Sequence, residues 1–132
     1  MKEQRVKELA LLAAKIRKEA LKAIQSADSG HVGGSFSVID ILTVLYFEKM
    51  NIDVKNPKME NRDRLVLSKG HCSPAMYAVL AMRGFFPLED LLTFRKIDSN
   101  LSGHVEMKYV PGVDMSTGSL GQGLSAAVGM AL

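Results

Sequence analysis

The chain has a single cysteine, Cys72, which excludes an internal disulfide framework. It has no run of 18 apolar residues, so no transmembrane helix and no membrane partner are expected. Its first residues, Met1-Lys-Glu-Gln-Arg5, lack the apolar core of a signal peptide. These absences together lead to the expectation of a cytoplasmic protein. Excess charge is also modest, at +3, and is concentrated early. Lys2 to Lys22 holds seven basic and three acidic residues, with no aromatic interleaving. That is the pattern of a solvated helix face, so no nucleic-acid partner is expected.

What is present is a 47% apolar chain of 132 residues, enough for the core of one domain. Leu9, Leu12, Ala13, Ile16, Ala20, Ala23, Ile24 and Ala27 recur at spacings of three and four, which predicts a helix over about Glu3–Ala27. Asp28-Ser29-Gly30 ends it. His31–Ser37 reads as a glycine-rich loop. A second helix is expected from Ser37 to Lys49, capped by Ser37 with Asp40 and buried on most sides. Asn61-Arg-Asp-Arg64 reads as a solvated loop tied by local Asp–Arg pairing. Ser73–Arg83 is helical with Gly84 as C-cap, and a short helix follows over Leu88–Lys96. Residues 97–114 form a loop long enough to suggest a function. The final apolar stretch, Leu124–Leu132, carries no helix-stop signal, which suggests a piece of a longer protein.

The stretch that organises the chain is Leu65-Val-Leu-Ser-Lys-Gly-His-Cys-Ser-Pro74. Leu65–Leu67 is a short apolar run expected as a strand, Lys69-Gly70-His71 breaks it, and Ser73-Pro74 starts a helix with Ser73 as N-cap. A glycine turn leading into a helix presents free N–H groups and a positive dipole end, which suits a phosphate. Lys69 and His71 stand at its rim. The adjacent Cys72 reads as an unreactive thiol beside a turn.

All three histidines follow a glycine: Gly30-His31, Gly70-His71 and Gly103-His104. With 11 glycines in 132 residues, chance gives this roughly 0.0006 of the time. Three readings stay open on the residues alone. The histidines could be ligands of one zinc, although none are paired at helical spacing and no carboxylate partner is evident. They could serve a phosphorylated cofactor held by glycine turns, with pKa values suited to proton transfer. Or the glycines could be turn residues only. Gly118-Ser-Leu-Gly-Gln-Gly123 has the spacing G-x-x-G-x-G and is not a dinucleotide fingerprint.

Ser29-Gly-His-Val-Gly33, Asn61-Arg-Asp-Arg64, Ser68-Lys-Gly-His71, Ser102-Gly-His104 and Thr117-Gly-Ser-Leu-Gly-Gln-Gly123 stand in the order and spacing of transketolase. The resemblance runs from about residue 5 to 132 and is most like the N-terminal subunit of split transketolases. It implies an α/β fold: the N-terminal part of a three-layer thiamine diphosphate-binding domain with a parallel sheet, mostly helical in residues 1–132. It implies a transferase of the pentose phosphate pathway that moves two-carbon ketol units between sugar phosphates, with thiamine diphosphate and Mg2+ as cofactors. By motif match, His71, Gly118, Ser119 and Leu120 resemble cofactor-binding residues, His31 a substrate-binding residue, and His104 a catalytic residue.

Val32, Ser102 and Ser119 replace prolines common in that family and change loop stiffness rather than chemistry. The family's Gly-Asp-Gly metal motif would lie beyond residue 132, so the resemblance places no metal ligand in this chain. It also implies a C-terminal transketolase subunit or remaining domains as partner, and a homo-oligomeric dimer or higher assembly. The alternatives that remain are a 1-deoxyxylulose-5-phosphate synthase-like enzyme and a truncated, non-catalytic chain that serves only as an assembly partner.

Overall fold

The computed structural model describes residues 2–132. Helix α1 spans Glu3–Ser26, α2 Val32–Val44, α3 Ser73–Arg83 and α4 Gln122–Ala131. One turn of π-helix, Leu45–Lys49, extends α2, and 3-10 turns cover Gly70–Cys72 and Leu88–Thr93. Helices α1, α2 and α3 all pack on one another. Helix α3 is the axis of the fold. Every residue from Ser73 to Ala81 is buried, as its run of apolar and small residues on all faces requires. Helix α1 is amphipathic and lays Ala13, Ile16, Ala20 and Ala23 against it, while α2 contributes Ile39 and Leu42. Tyr77 and Phe94 meet edge to face within this core with ring centroids 6.2 Å apart.

Helices α1 and α3 form where the apolar periodicity predicts them, and Gly84 ends α3 in a left-handed conformation (φ 98). The loop over 97–114 and the helix in the final stretch also agree with the structure, but several other expectations need correction. Helix α2 starts at Val32, so Gly33 and Gly34 are helical and the expected loop over 31–37 is only its first turns. The Ser37–Asp40 capping box does not form. Ser37 Oγ donates to the Gly34 carbonyl, and Asp40 pairs with Arg17 of α1. Ile41 is exposed, so α2 is less enclosed than its composition implies. Ser73 does not cap α3, because the 3-10 turn already continues into the helix and Ser73 Oγ donates to the Gly103 carbonyl at 2.8 Å. The Leu88–Lys96 helix shortens to a 3-10 turn ending at Thr93.

Leu65–Leu67 has no regular secondary structure, and no strand occurs among the described residues. Side chains take two of its backbone groups in place of a ladder. Asp114 Oδ2 accepts from the Leu65 N–H at 2.8 Å, and Thr117 Oγ1 donates to the Leu67 carbonyl at 2.6 Å. The local pairing expected within Asn61–Arg64 is also absent. Arg62 reaches across to Asp114 at 2.5 Å in a largely buried ion pair, while Asp63 accepts from the Asn51 N–H at 2.7 Å.

Candidate functional site

Three irregular segments stack on the N-terminal end of α3 and form a shelf. The lowest is Leu65–Cys72. On it lies the Gly103–Val105 segment, whose Val105 N–H donates to the Gly70 carbonyl at 3.3 Å. The third is Thr117–Gly121. Its Thr117 N–H donates to the Val105 carbonyl at 3.3 Å, and its Gly121 N–H to the Ser68 carbonyl at 3.0 Å. Two glycines make the stacking possible. A Cβ on Gly70 would overlap the Thr117 carbonyl, and one on Gly123 would sit 2.9 Å from the Ser68 Cα.

The shelf brings the glycine-preceded histidines together. His31, immediately before α2, and His71, on the 3-10 turn, meet edge to face with ring centroids 4.9 Å apart. The ring of His104 faces Gly118, where a Cβ would lie 3.8 Å from its Cδ2. Desolvation lowers the His71 pKa, and the nearby charges of His31, Lys69 and His104 push it the same way. His71 is therefore a neutral donor or acceptor at pH 7. Among the described residues no group of three His, Cys, Asp or Glu side chains is placed to hold a metal ion.

Two of the supports of these histidines, Tyr77 and Ser73, are fully buried. Tyr77 of α3 donates its hydroxyl to the His104 carbonyl at 2.9 Å, and Ser102 Oγ donates to the same oxygen at 2.6 Å. With Ser73 on the Gly103 carbonyl, the Gly103-His104 peptide is pinned to the core. Lys69, expected as a rim cation, is engaged elsewhere. Its Nζ donates to the Gly34 carbonyl at 2.7 Å and to Ser37 Oγ at 2.8 Å, tying the first turns of α2 to the Gly70 turn. Cys72 is fully buried, and burial raises its thiol pKa, so it is an inert packing thiol.

Gly118, Ser119 and Leu120 are exposed. None of their backbone N–H groups is engaged by another backbone group among the described residues. They stand beside the His104 ring as a free row of donors, while neutral His71 offers a ring nitrogen beside the α3 N-terminal end. That donor set fits an anionic, nitrogen-containing cofactor better than a bare metal ion. Arg95, Tyr77, Ser73 and Thr117 also belong to the arrangement. Local pattern marks Ser73 only as a helix start and Thr117 only as part of the glycine motif, and it does not mark Arg95 or Tyr77, because each acts on a partner at least 27 positions away.

The family described as "Transketolase, thiamine diphosphate binding domain" matches residues 9–132. The 6-deoxy-6-sulfo-D-fructose transketolase subunit SqwG of Clostridium sp. (strain MSTE9) is 52% identical over all of this chain, which covers 48% of that protein. Transketolase 2 of Escherichia coli (strain K12) is 43% identical over 92% of the chain, covering 18% of that protein. Among solved structures, transketolase from Leishmania mexicana superposes with a TM-score of 0.89 at 38% identity. The match covers 93% of this chain and 18% of that one. The chain thus spans about half, or less, of the proteins it matches.

Proposed function

The chain belongs to the transketolase family, through that family's thiamine diphosphate-binding domain, and from this premise we propose that it supplies part of a ketol-transfer site. The whole enzyme would move a two-carbon ketol unit from a ketose phosphate to an aldose phosphate. The observation that carries this is the histidine cluster: the shelf presents His71 and His104 beside the open backbone of Gly118–Leu120, and the α1–α2 connection sets His31 against His71.

Thiamine diphosphate, when bound, supplies a stabilised carbon nucleophile that no amino-acid side chain provides. His71, kept neutral and placed beside the N-terminal end of α3, would donate to the diphosphate. The N–H groups of Gly118, Ser119 and Leu120 would hold the cofactor's rings. His104, its backbone pinned by Tyr77 and Ser102, would exchange protons and hydrogen bonds with oxygens whose charge changes during transfer. His31, at the outer edge, would contact the sugar. Mg2+ would be held by oxygen ligands outside these residues. A complementary C-terminal subunit or further domains would complete the site, in a cytoplasmic dimer or higher assembly. The 52% identical relative is named for a sulfonated ketose, so the donor class here extends to anionic ketoses in general.

The test is complementation. The chain is purified alone and together with the segments that complete a transketolase. Both are assayed with xylulose 5-phosphate, 6-deoxy-6-sulfo-D-fructose and pyruvate as donors. Ketol transfer only in the completed protein is expected. Condensation of pyruvate with an aldose phosphate would indicate the 1-deoxyxylulose-5-phosphate synthase-like alternative, and no turnover with any donor would indicate a non-catalytic assembly partner. In the completed enzyme, His71→Ala should weaken thiamine diphosphate binding in calorimetry. His31→Ala should mainly raise the donor KM, whereas His104→Ala should lower kcat and kcat/KM together.

A further inference from the structure

Arg95 lies outside every motif described above, yet its side chain touches both of the loops carrying His31 and His104. Its Nη1 donates to Ser29 Oγ, two residues before His31. Its Nε and Nη2 lie over Gly103, where a Cβ would fall 2.8 and 3.1 Å from them. The guanidinium also rests on the buried Phe94 ring, 5.4 Å from its centroid. The backbone is specialised to this end. Arg95 is left-handed (φ 61), one of two non-glycine residues to be so among the described residues, and its N–H donates to the Leu101 carbonyl at 2.8 Å. Such a conformation costs about 1 kcal/mol or more in a residue with a side chain and persists where surrounding contacts impose it. No carboxylate pairs with Arg95 among the described residues.

The two loops it joins are held very differently. Gly103-His104 is fastened to α3 by Ser73 and Tyr77. Ser29-Gly30-His31 is an exposed connection between α1 and α2. We propose that Arg95 is a positioning residue that registers the His31 loop against the fixed His104 loop, and so sets the spacing of the two histidines across the sugar. Glycine at 103 is part of this device, since any side chain there would displace the guanidinium. The planar fork of arginine can bond Ser29 and lie on Gly103 at once, which a lysine ammonium cannot do. The inference rests on the ketol-transfer reading for its effect on activity, but not for the link between the loops.

The experiment uses the completed holoenzyme with histidine-selective isotope labelling in this chain alone, and the variants Arg95→Met, Arg95→Lys and Gly103→Ala. Arg95→Met and Gly103→Ala should each raise the donor KM about tenfold, while thiamine diphosphate affinity and the melting temperature stay unchanged. Arg95→Lys should not rescue, and the Arg95→Met/Gly103→Ala pair should be no worse than either alone. In the spectra, Gly103→Ala should shift the His31 ring resonance, and Arg95→Met should abolish that response. Full rescue by lysine would overturn the proposal, because it would make Arg95 a charge acting directly on the substrate. An unmoved His31 resonance in Gly103→Ala would overturn it too. If the unmodified holoenzyme transfers no ketol unit, the functional reading fails, and the resonance response still decides the link.

Discussion

The helical core and the shelf above it are built from different physics. In the core, Ile16, Ala20, Ile39, Leu42 and Leu80 are almost wholly removed from water and held by apolar contact. In the shelf, Leu65–Cys72, Gly103–Val105 and Thr117–Gly121 are joined by a few hydrogen bonds, and His104, Ser119 and Leu120 are exposed. Apolar packing tolerates approximation, because a Leu or Met of similar volume fills the same space. A hydrogen-bonded stack of loops does not, since each bond fixes a donor, an acceptor and a backbone direction. The molecule uses the forgiving interaction for stability and the exacting one to aim histidines.

The largest effect should come where the shelf borrows the energetics of the interior. Asp114 bonds both Arg62 and the Leu65 N–H. The two side chains of the ion pair, Arg62 and Asp114, are only 16% and 6% exposed. Asp114→Ala would leave the Arg62 charge buried without its carboxylate and free the Leu65 amide. The expected loss is about 3–5 kcal/mol, read by urea denaturation. Arg62→Met/Asp114→Leu should recover most of it, since a pair replaced together leaves no orphan charge. A double variant as unstable as Asp114→Ala would show that the bond to Leu65, rather than the charge, dominates.

Next is the core itself. Ile16, on the buried face of α1, has no solvent exposure and belongs to the core cluster. Ile16→Ala should cost about 2–5 kcal/mol, as a cavity left among packed side chains does. The comparison predicts that this loss is global. Hydrogen exchange should accelerate in α1, α2 and α3 together, whereas a change in the shelf should accelerate exchange in the shelf alone. Equal protection losses at Ala20 and at Val105 in a shelf variant such as Thr117→Val would erase the distinction.

The two regions also differ in how much of them can be read in the sequence. Helices α1 and α3 announce themselves, because apolar spacing is a local signal and Gly84 follows α3 directly. The three Gly-His pairs announce the site for a similar reason: glycine next to histidine is visible without knowing the fold. What could not be read is what holds the site. The Leu65–Leu67 run looks like a strand, since periodicity reports burial and extension but not which group bonds the backbone. Asp114 and Thr117 take the place of a ladder from 49 and 50 positions away. His31–Gly34 looks like a loop because two glycines disfavour a helix. Lys69 overrides that preference by fastening the Gly34 carbonyl from 35 positions away.

The smallest effect separates the regions by pH. His71 on the shelf and Glu106 next to it both have depressed pKa values, whereas that of the buried Cys72 is raised and plays no part in acid. Desolvation lowers His71, with the charges of His31, Lys69 and His104 adding to it. The Ser116 hydroxyl lowers Glu106, with the Lys108 N–H and charge helping against desolvation. In both cases the unfolded chain binds the proton more readily than the folded one, so stability falls as pH falls. For His71 the full contribution holds above its ordinary value of 6.5 and is lost progressively below it, down to the folded value. For Glu106 the loss begins near its ordinary value of 4.5 and continues as pH falls through the depressed one. Of the core groups, the Tyr77 hydroxyl is pushed up to about 12 by burial and is silent in acid. Acid should therefore loosen the shelf in two stages while the α1–α3 packing persists. Hydrogen exchange at Val105 and Thr117 should quicken as the pH falls below the ordinary histidine value of 6.5, then again below the ordinary glutamate value of 4.5, ahead of Ala20 and Leu80. His71→Gln should remove the first stage and Glu106→Gln the second, each by a modest amount because both groups are partly solvated. If neither substitution flattens its stage, the shelf responds to acid through other groups, and His71 is not held neutral by its surroundings.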